Sequence, residues 1–283
     1  MTRRFNLSLP RRRRWANGTE LREARRQAEA VVEIKSRDEL KIMREAGRHA
    51  GEVLQLLVKA VRPGLVIREL DQIVLDEYKR RGVMPTFLNY APGGKPPYPA
   101  TVCVSINEQI VHGIPGSRVL KDGDIVSLDL GATYKGFVGD TAVTVPCGTV
   151  SAEAARLIET TRGALQAGIG AAHSGARIGD IGATIQQYAE SRGYSVVREY
   201  AGHGVGRRMH EEPQIPNYGD PGTGRILRPG WVIAIEPMVN VGTYLTQEQP
   251  DRWTVSTADG SLSAHFEHTI AITENGAEVL TLP

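Results

Sequence analysis

Several short stretches place acids and histidines inside apolar or glycine-rich surroundings, where a surface role is hard to assign. The apolar run from Asp124 to Leu130 carries Asp129 near its end, and Gly139-Asp140-Thr141 brings a second acid eleven residues later. Gly202-His203-Gly204-Val205-Gly206 is a glycine-rich turn around one histidine, and it leads into Met209-His210-Glu211-Glu212-Pro213. Ala234-Ile235-Glu236-Pro237-Met238 ends an apolar run in an acid, and His265-Phe266-Glu267-His268-Thr269 embeds another. Four carboxylates with one histidine form an oxygen-rich donor set with a single nitrogen. That set suits divalent Mn, Fe, Co or Zn better than a single structural zinc. Two divalent ions bring +4 against −4 from the acids, whereas one ion would leave acids repelling each other and at least one protonated. The charge balance favours a two-metal hydrolytic centre. Each stretch alone is weak. GHGVG lacks the GxGxxG spacing of a dinucleotide turn, HEEP is also an ordinary helix start, and it is not the HExxH zincin pattern.

The elements that must position these residues follow a doubled order. Ser36-Arg37-Asp38-Glu39 has capping-box spacing and opens a helix with Leu40, Met43 and Ala46 on one face. The apolar pattern continues through Val53–Val61 to a stop at Pro63-Gly64, and a second helix spans Ile67–Arg81 before Gly82. Strands are predicted at Thr101–Ile106, Asp124–Leu130 and Thr141–Val145. Helices return at Glu153–Ala172 and Ile178–Arg192, then strands at Ser195–Arg198, Trp231–Ile235, Trp253–Thr257 and His265–Thr273. Residues 62–82 align with 173–193 at a shift of 111, and LKDGDIVSLD (120–129) aligns with LRPGWVIAIE (227–236) at a shift of 107. The second match ends in an acid in both copies, Asp129 and Glu236. An unpaired buried acid is costly, so two related halves that each carry one point to a shared centre. The alternative is a duplication whose acids lie in surface turns.

Composition narrows the class. The chain has 283 residues, 41% apolar and 23% charged, enough for a sizeable core. No apolar run approaches the roughly 20 residues of a membrane helix. Two cysteines, Cys103 and Cys147, exclude a disulfide scaffold and fit a reducing, cytoplasmic compartment. The net charge of +2 hides an asymmetry: residues 1–37 hold 11 Lys/Arg and 4 Asp/Glu, a net +7, which leaves −5 for the rest. Residues 1–33 are read as a basic, disordered tail with a short charged helix possible over Thr19–Glu33, and the folded body as 34–283. The tail lacks the apolar segment of a secretory signal, and Glu20, Glu23 and Glu29 argue against an organellar transit peptide.

NEQIVHGIP (107–115), VSLDLG followed by GDTA, AGHGVGRRMHEEP (201–213), IEPM (235–238) and SLSAHFEHT (261–269) resemble, in order and spacing, the signature blocks of type I methionine aminopeptidases of the bacterial type. The resemblance covers residues 34–283. It implies an α/β (α+β) pita-bread fold, two pseudo-symmetric helix-helix-strand halves around a dinuclear site. It also implies removal of the initiator methionine from nascent polypeptides whose second residue is small. The implied metal ligands are Asp129, Asp140, His203, Glu236 and Glu267, with Asp140 and Glu267 bridging two divalent ions (Co, Mn, Fe or Zn). Glu236 doubles as proton acceptor, His210 stabilises the tetrahedral oxyanion, and His112 assists the leaving amine. Matching positions for the methionine pocket are Tyr98, Cys103, Met209 and Trp253, with Phe87 beside them. Asn107 and Ser263 resemble residues that help hold a monovalent cation in relatives. Met209 stands where the family usually has an aromatic residue, and Ala91–Pro97 is longer and richer in proline than the usual connection. Strand alternation turns His268 to the face opposite Glu267. His49 and His173 read as solvated or packed, and His265 shares the face of Glu267.

Two rival readings accompany this one. An Xaa-Pro aminopeptidase or dipeptidase shares the fold but normally carries a further domain ahead of the catalytic one, where this sequence shows only the basic tail. A catalytically dead pita-bread module associated with ribosome or RNA would require lost ligands, and all five are present. The expected partners are nascent chain N-termini and, through the tail, ribosomal RNA. No membrane or DNA partner is expected, and the family suggests a monomer.

Overall fold

A computed structural model describes residues 31–283. All but the last three residues of the proposed 1–33 tail and of its Thr19–Glu33 helix lie outside them, and residues 31–36 have no regular structure. Val32 packs against the core, and the side chain of Lys35 is buried.

Four α-helices are present among the described residues: α1 (Arg37–Ala60), α2 (Arg68–Arg81), α3 (Ala152–Ala171) and α4 (Ile178–Glu190). The strands of the first half are β1 (Met84–Pro85), β2 (Cys103–Ile106), β3 (Gln109–Val111), β4 (Ile125–Tyr134) and β5 (Phe137–Pro146). Those of the second begin with β6 (Ser195–Val196), β7 (Gly202–Gly204), β8 (Glu211–Ile215), β9 (Val232–Ile235) and β10 (Met238–Asn240). They continue with β11 (Thr246–Glu248), β12 (Val255–Thr257), β13 (Ser263–His265), β14 (Glu267–Thr273) and β15 (Gly276–Val279).

The capping box at Ser36 is formed: Glu39 N–H donates to the Ser36 hydroxyl, and Ser36 N–H donates to the Glu39 carboxylate at 2.9 Å. α1 is one continuous helix. It buries Met43, Ala46, Ala50, Val53, Leu54 and Leu57, and Pro63 then prevents its continuation. α2 ends at Gly82 in the left-handed region, φ +66°, where a Cβ would be strained.

The strands differ from expectation in three instructive ways. The predicted strands Asp124–Leu130 and Thr141–Val145 are the outer parts of a long hairpin, β4 and β5, turning at Lys135-Gly136. The polar side chains of Asp129, Thr133 and Asp140, with Gly139, interrupt its apolar signal. The predicted strand His265–Thr273 breaks at Phe266 into β13 and β14, which join different sheets. The HEEP stretch starts strand β8, not a helix.

A nine-stranded antiparallel sheet runs β1-β4-β5-β14-β9-β7-β8, with β2 on β4 and β15 on β14. Two apolar clusters flank it. One joins α1 and α2 to β2 and β4, through Leu57, Leu70, Tyr78, Val104, Leu128 and neighbours. The other joins α3 and α4 to β9 and β14, through Leu157, Ile181, Ile185, Ile233, Ile270 and neighbours.

The internal repeat is visible bond by bond. Gly64 N–H donates to the Leu120 carbonyl at 2.8 Å, and Gly175 N–H to the Leu227 carbonyl at 3.1 Å. Leu120 N–H returns to Leu65, and Leu227 N–H returns to Ala176, both at 2.8 Å. The isolated bridges Val66–Val119 and Arg177–Ile226 obey the same two shifts. Gly64 and Gly175 have φ of +87° and +89°. Each half thus ties the start of its second helix to the turn that feeds its carboxylate strand.

The halves meet where β5 pairs with β14, at Glu267–Ala142 and His268–Thr141. Threonine hydroxyls extend this short ladder. Thr269 donates to the Asp140 carbonyl at 2.8 Å and accepts from Asp140 N–H at 3.0 Å, and Thr141 donates to the Glu267 carbonyl at 2.9 Å.

Candidate active site

The register of the sheet places the chemical residues on one face. Cross-strand partners share a face, and so do alternate residues along a strand. Cys103 lies opposite Asp129, Asp129 opposite Ala142, and Ala142 opposite Glu267. This row crosses β2, β4, β5 and β14. Asp140 is two residues from Ala142 and joins the same face. His268 pairs with Ile235, so Glu236, the next residue, stands beside Glu267. His203 on β7 alternates with Gly204, the partner of Ile233, and so shares the face of Ala234 and Glu236. His268 itself lies on the far face, bonded to Thr281 through Nδ1 at 2.8 Å.

One pocket gathers Asp129, Asp140, His203, Glu236 and Glu267. Ligand-type atoms of Asp140, His203 and Glu267 lie within 4.8 Å of one another. Glu236 Oε1 is 3.6 Å from His203 Nε2, and Glu236 Oε2 is 3.5 Å from His265 Nε2. His203 Nδ1 lies 2.9 Å from the Gly204 carbonyl, which fixes the proton there and leaves the Nε2 lone pair facing the carboxylates. Asp129 Oδ1 and Asp140 Oδ1 are buried without any hydrogen-bond partner.

Burial dominates the electrostatics. It raises Asp140 to about 7, with Glu236 repulsion adding to the effect, and it raises Glu236 to about 8. Asp129 and Glu267 are pushed well up by burial and then by repulsion from the other acids. Burial also lowers His203, His112 and His265 to about 3, so all three are neutral. Orphaned oxygens, mutual repulsion and a neutral imidazole lone pair are the donor chemistry that suits a cation. The donors present fit one or two divalent ions.

The apolar part of the pocket is Phe87, Tyr98, Cys103, Met209 and Trp253, all buried and in one cluster. Tyr98 stacks edge-on to Trp253 at 5.1 Å between centroids and donates its hydroxyl to the Gly113 carbonyl at 2.8 Å. His112 and His210 line the same pocket. His112 has φ +61°, held by ring contacts to Tyr200 and Trp253. His210 sits 4.3 Å from His203, ring to ring. His173 is exposed, and His49 packs on Tyr134.

Three neighbours had no visible signal in the sequence. The Tyr90 hydroxyl lies 2.6 Å from His210 Nδ1. Lys95, three residues ahead of Tyr98, lines the pocket. Lys35 is buried and pairs with Glu211 at 2.8 Å, while Glu211 also accepts from Arg208 N–H at 3.1 Å. That pair holds the turn carrying Met209 and His210. All three depend on long-range contacts that periodicity does not report.

The family model described as metallopeptidase family M24 matches residues 41–274. The chain belongs to metallopeptidase family M24. Within it the chain is 50% identical to methionine aminopeptidase 1 of Bacillus subtilis over 251 residues, which is 89% of this chain and 99% of that one. It is 49% identical to the methionine aminopeptidase of Clostridium acetobutylicum, with the same coverage. The crystal structure of a methionine aminopeptidase from Thermotoga maritima superposes with TM-score 0.86 at 46% identity, covering 89% of this chain and all of that one. A prolidase from Pyrococcus horikoshii shares the fold, with TM-score 0.70 at 24% identity, and this chain covers 63% of it. The pita-bread architecture is therefore that of the family. As a family M24 metallopeptidase the chain uses divalent metal. Among the described residues, no helix is long and apolar enough to cross a membrane.

These charges predict a pH dependence for the metal-free protein. Asp140 and Glu236 hold protons up to about pH 7–8 when folded but lose them near 4 when unfolded, so raising pH favours unfolding across that interval. His203, His112 and His265 act the other way, since folding keeps them neutral down to about 3 while the unfolded groups protonate near 6.5. The two sets oppose each other below about 6.5, and the carboxylates act alone above it. Melting temperature of chelator-treated protein should fall from pH 6.5 to 8, and saturating divalent metal should flatten that fall. A flat profile without metal would contradict the assignment of these acids as mutually repelling.

Proposed function

We propose that the chain hydrolyses the peptide bond after an N-terminal methionine, releasing it from new polypeptides whose second residue is small. The observation that carries this reading is the meeting of two unlike surfaces in one pocket. Five chelating side chains lie on one side and an apolar, partly aromatic and sulfur-containing wall on the other. Methionine fits such a wall because its unbranched thioether is polarisable and finds aromatic partners.

Asp129, Asp140, His203, Glu236 and Glu267 would hold two divalent ions, Asp140 and Glu267 serving both. When bound, such ions would supply Lewis-acid polarisation and lower the pKa of water toward neutral. Glu236, raised by burial and backed by His265, is poised to take the proton of the attacking water. Burial lowers His210, and in the tautomer that accepts from the Tyr90 hydroxyl, 2.6 Å from Nδ1, its Nε2–H is free to donate to the oxyanion that develops on the substrate carbonyl. His112, also neutral, faces the pocket from beside Trp253 and is placed to hydrogen-bond the departing amide nitrogen. Phe87, Tyr98, Cys103, Met209 and Trp253 would hold the methionine side chain and exclude water. Asn107 bonds Asp124 and the Ile125 amide, and Ser263 N–H bonds the Asn107 carbonyl, so the two residues proposed to help hold a monovalent cation are neighbours.

Residues 1–33 are proposed as a ribosome-contacting tail ahead of a catalytic body, 34–283. Its cations, four of them consecutive at Arg11–Arg14, suit phosphate contact. The two free buried cysteines suit the reducing cytoplasm where new chains appear, and the enzyme is proposed to act there as a monomer.

The direct test is hydrolysis of Met-Ala-Ser against an Xaa-Pro dipeptide. Cleavage of the first alone is expected, and preference for the second would replace this reading with an Xaa-Pro peptidase. In the same assay His210→Ala should retain metal and lose roughly 10²–10³ in turnover, the scale of one oxyanion donor. A variant whose chief defect is a raised KM would remove His210 from transition-state stabilisation. Deleting residues 1–31 should leave tripeptide kinetics unchanged and weaken co-sedimentation with ribosomes in a salt-dependent way. Equal co-sedimentation of both forms at low and moderate salt would show that the tail has no such role.

A further inference from the structure

The segment Ala91–Pro97 leaves the pocket wall at Tyr90 and returns at Tyr98. Two backbone bonds of 2.9 Å close its neck, from Asn89 N–H to the Tyr98 carbonyl and from Tyr98 N–H to the Tyr90 carbonyl. The excursion does not hang free. Lys95 pairs through Nζ with Glu248 on β11 and donates to the Arg252 carbonyl at 2.8 Å. The Arg252 guanidinium donates back to the Gly94 carbonyl at 3.0 Å. The Trp253 indole N–H donates to the Pro96 carbonyl at 3.0 Å, and the Lys95 ammonium lies 5.3 Å from the Trp253 ring centroid. Pro92, Pro96 and Pro97 restrict the backbone between these points, which lowers the entropy lost in holding them. Pro92 and Lys95 themselves line the pocket.

The excursion therefore ties two walls of the same pocket together. One wall carries Tyr90 and Tyr98 at the neck of the excursion. The other is the turn between β11 and β12, which carries Trp253. Trp253 stands edge-on to both Tyr98 and His112. Its indole is buried, so its N–H must find an acceptor, and the strap carbonyl of Pro96 is that acceptor. Moving Trp253 means breaking that bond and carrying the 249–254 turn away from Lys95.

We propose that Ala91–Pro97 is a specificity-determining strap for the first side chain of the substrate, with Lys95 as the positioning residue that holds Trp253 at a fixed distance from Tyr98. The proposal rests on the aminopeptidase reading above and deepens it. A pocket discriminates between aliphatic side chains differing by a methylene or a branch by only about ten- to two-hundredfold, and only when its walls do not follow the ligand. A strapped wall stays in place for the long unbranched methionine chain and does not close on a shorter or branched one. Lys95 touches no reacting atom. Its two polar links to the 248–252 turn keep the wall in register.

The test compares wild type with Lys95→Ala, with Glu248→Gln, which loosens the same tie from a half-exposed partner, and with Lys95→Arg, which keeps the cation over the indole. Two readouts are taken on metal-loaded protein. One is kcat and KM for Met-Ala-Ser and Leu-Ala-Ser. The other is calorimetric binding of L-methioninamide and L-leucinamide, which needs no turnover. Lys95→Ala should lower the methionine-to-leucine preference about tenfold in both readouts, through KM and with kcat within about twofold. Glu248→Gln should lower it partway, and Lys95→Arg should restore it. An unchanged preference in both Lys95→Ala and Glu248→Gln, or a loss confined to kcat, overturns the proposal. So does a wild-type protein with no methionine preference in either readout. Failure of the aminopeptidase reading would look different: wild type would cleave neither peptide, while amide binding would still report on the strap.

Discussion

Four carboxylates and one neutral imidazole converge in a buried pocket, and the one cationic side chain that lines it among the described residues, Lys95, is paired with Glu248 instead. Burying even one unpaired carboxylate is costly, and gathering four multiplies the cost. Without a cation the group is driven toward protonation: Asp140 rises to about 7, Glu236 to about 8, and Asp129 and Glu267 well above their ordinary values. Much of the surrounding structure follows from holding these groups together against their repulsion. Asp129 and Asp140 each bury a carboxylate oxygen without a hydrogen-bond partner, as a cation site requires.

The means of holding them is the seam between the two halves. β5 and β14 share only two residue pairs, yet Asp140 and Glu267 are both at that seam. Thr269 and Thr141 bond across it to the backbone of those very residues. Behind the seam, α1 approaches without intervening side chains: a Cβ on Gly139 would meet the Gly47 backbone at 2.5 Å. The helix backbone therefore supports the strand beside Asp140 directly. The duplicated ties at Gly64–Leu120 and Gly175–Leu227 set each half in the same way, so the carboxylate of each repeat, Asp129 or Glu236, arrives at the common pocket. One construction used twice supplies acids from both sides, and the seam joins them.

How much of this is legible in the sequence depends on the range of the interaction. The capping box at Ser36, the stop at Gly82 and the repeat are short-range or periodic signals, and each has its structural counterpart. The far-face position of His268 follows from alternation alone. The sequence signal of the long β4–β5 hairpin is shorter than the hairpin itself because its functional residues break the apolar alternation that marks a strand. HEEP carries a local helical signal because its acids suit a first helical turn, whereas in the fold Glu211 is engaged by Lys35 from 176 residues away. Tyr90, Lys95 and Lys35 act through partners distant in sequence, so nothing local distinguishes them. The ordinary strand signals fail where the site residues interrupt them, and the supporting residues are silent because their partners come from elsewhere in the chain.

The central claim is that Asp140, at the seam, serves two metal ions at once. It is tested most directly by metal stoichiometry of chelator-stripped, reloaded protein, measured in parallel for wild type and Asp140→Asn by elemental analysis and titration calorimetry. Two equivalents of divalent ion in the wild type, with both weakened in Asp140→Asn, is the result this account predicts. Two tightly bound equivalents retained by Asp140→Asn, or a wild type that never exceeds one, would contradict it.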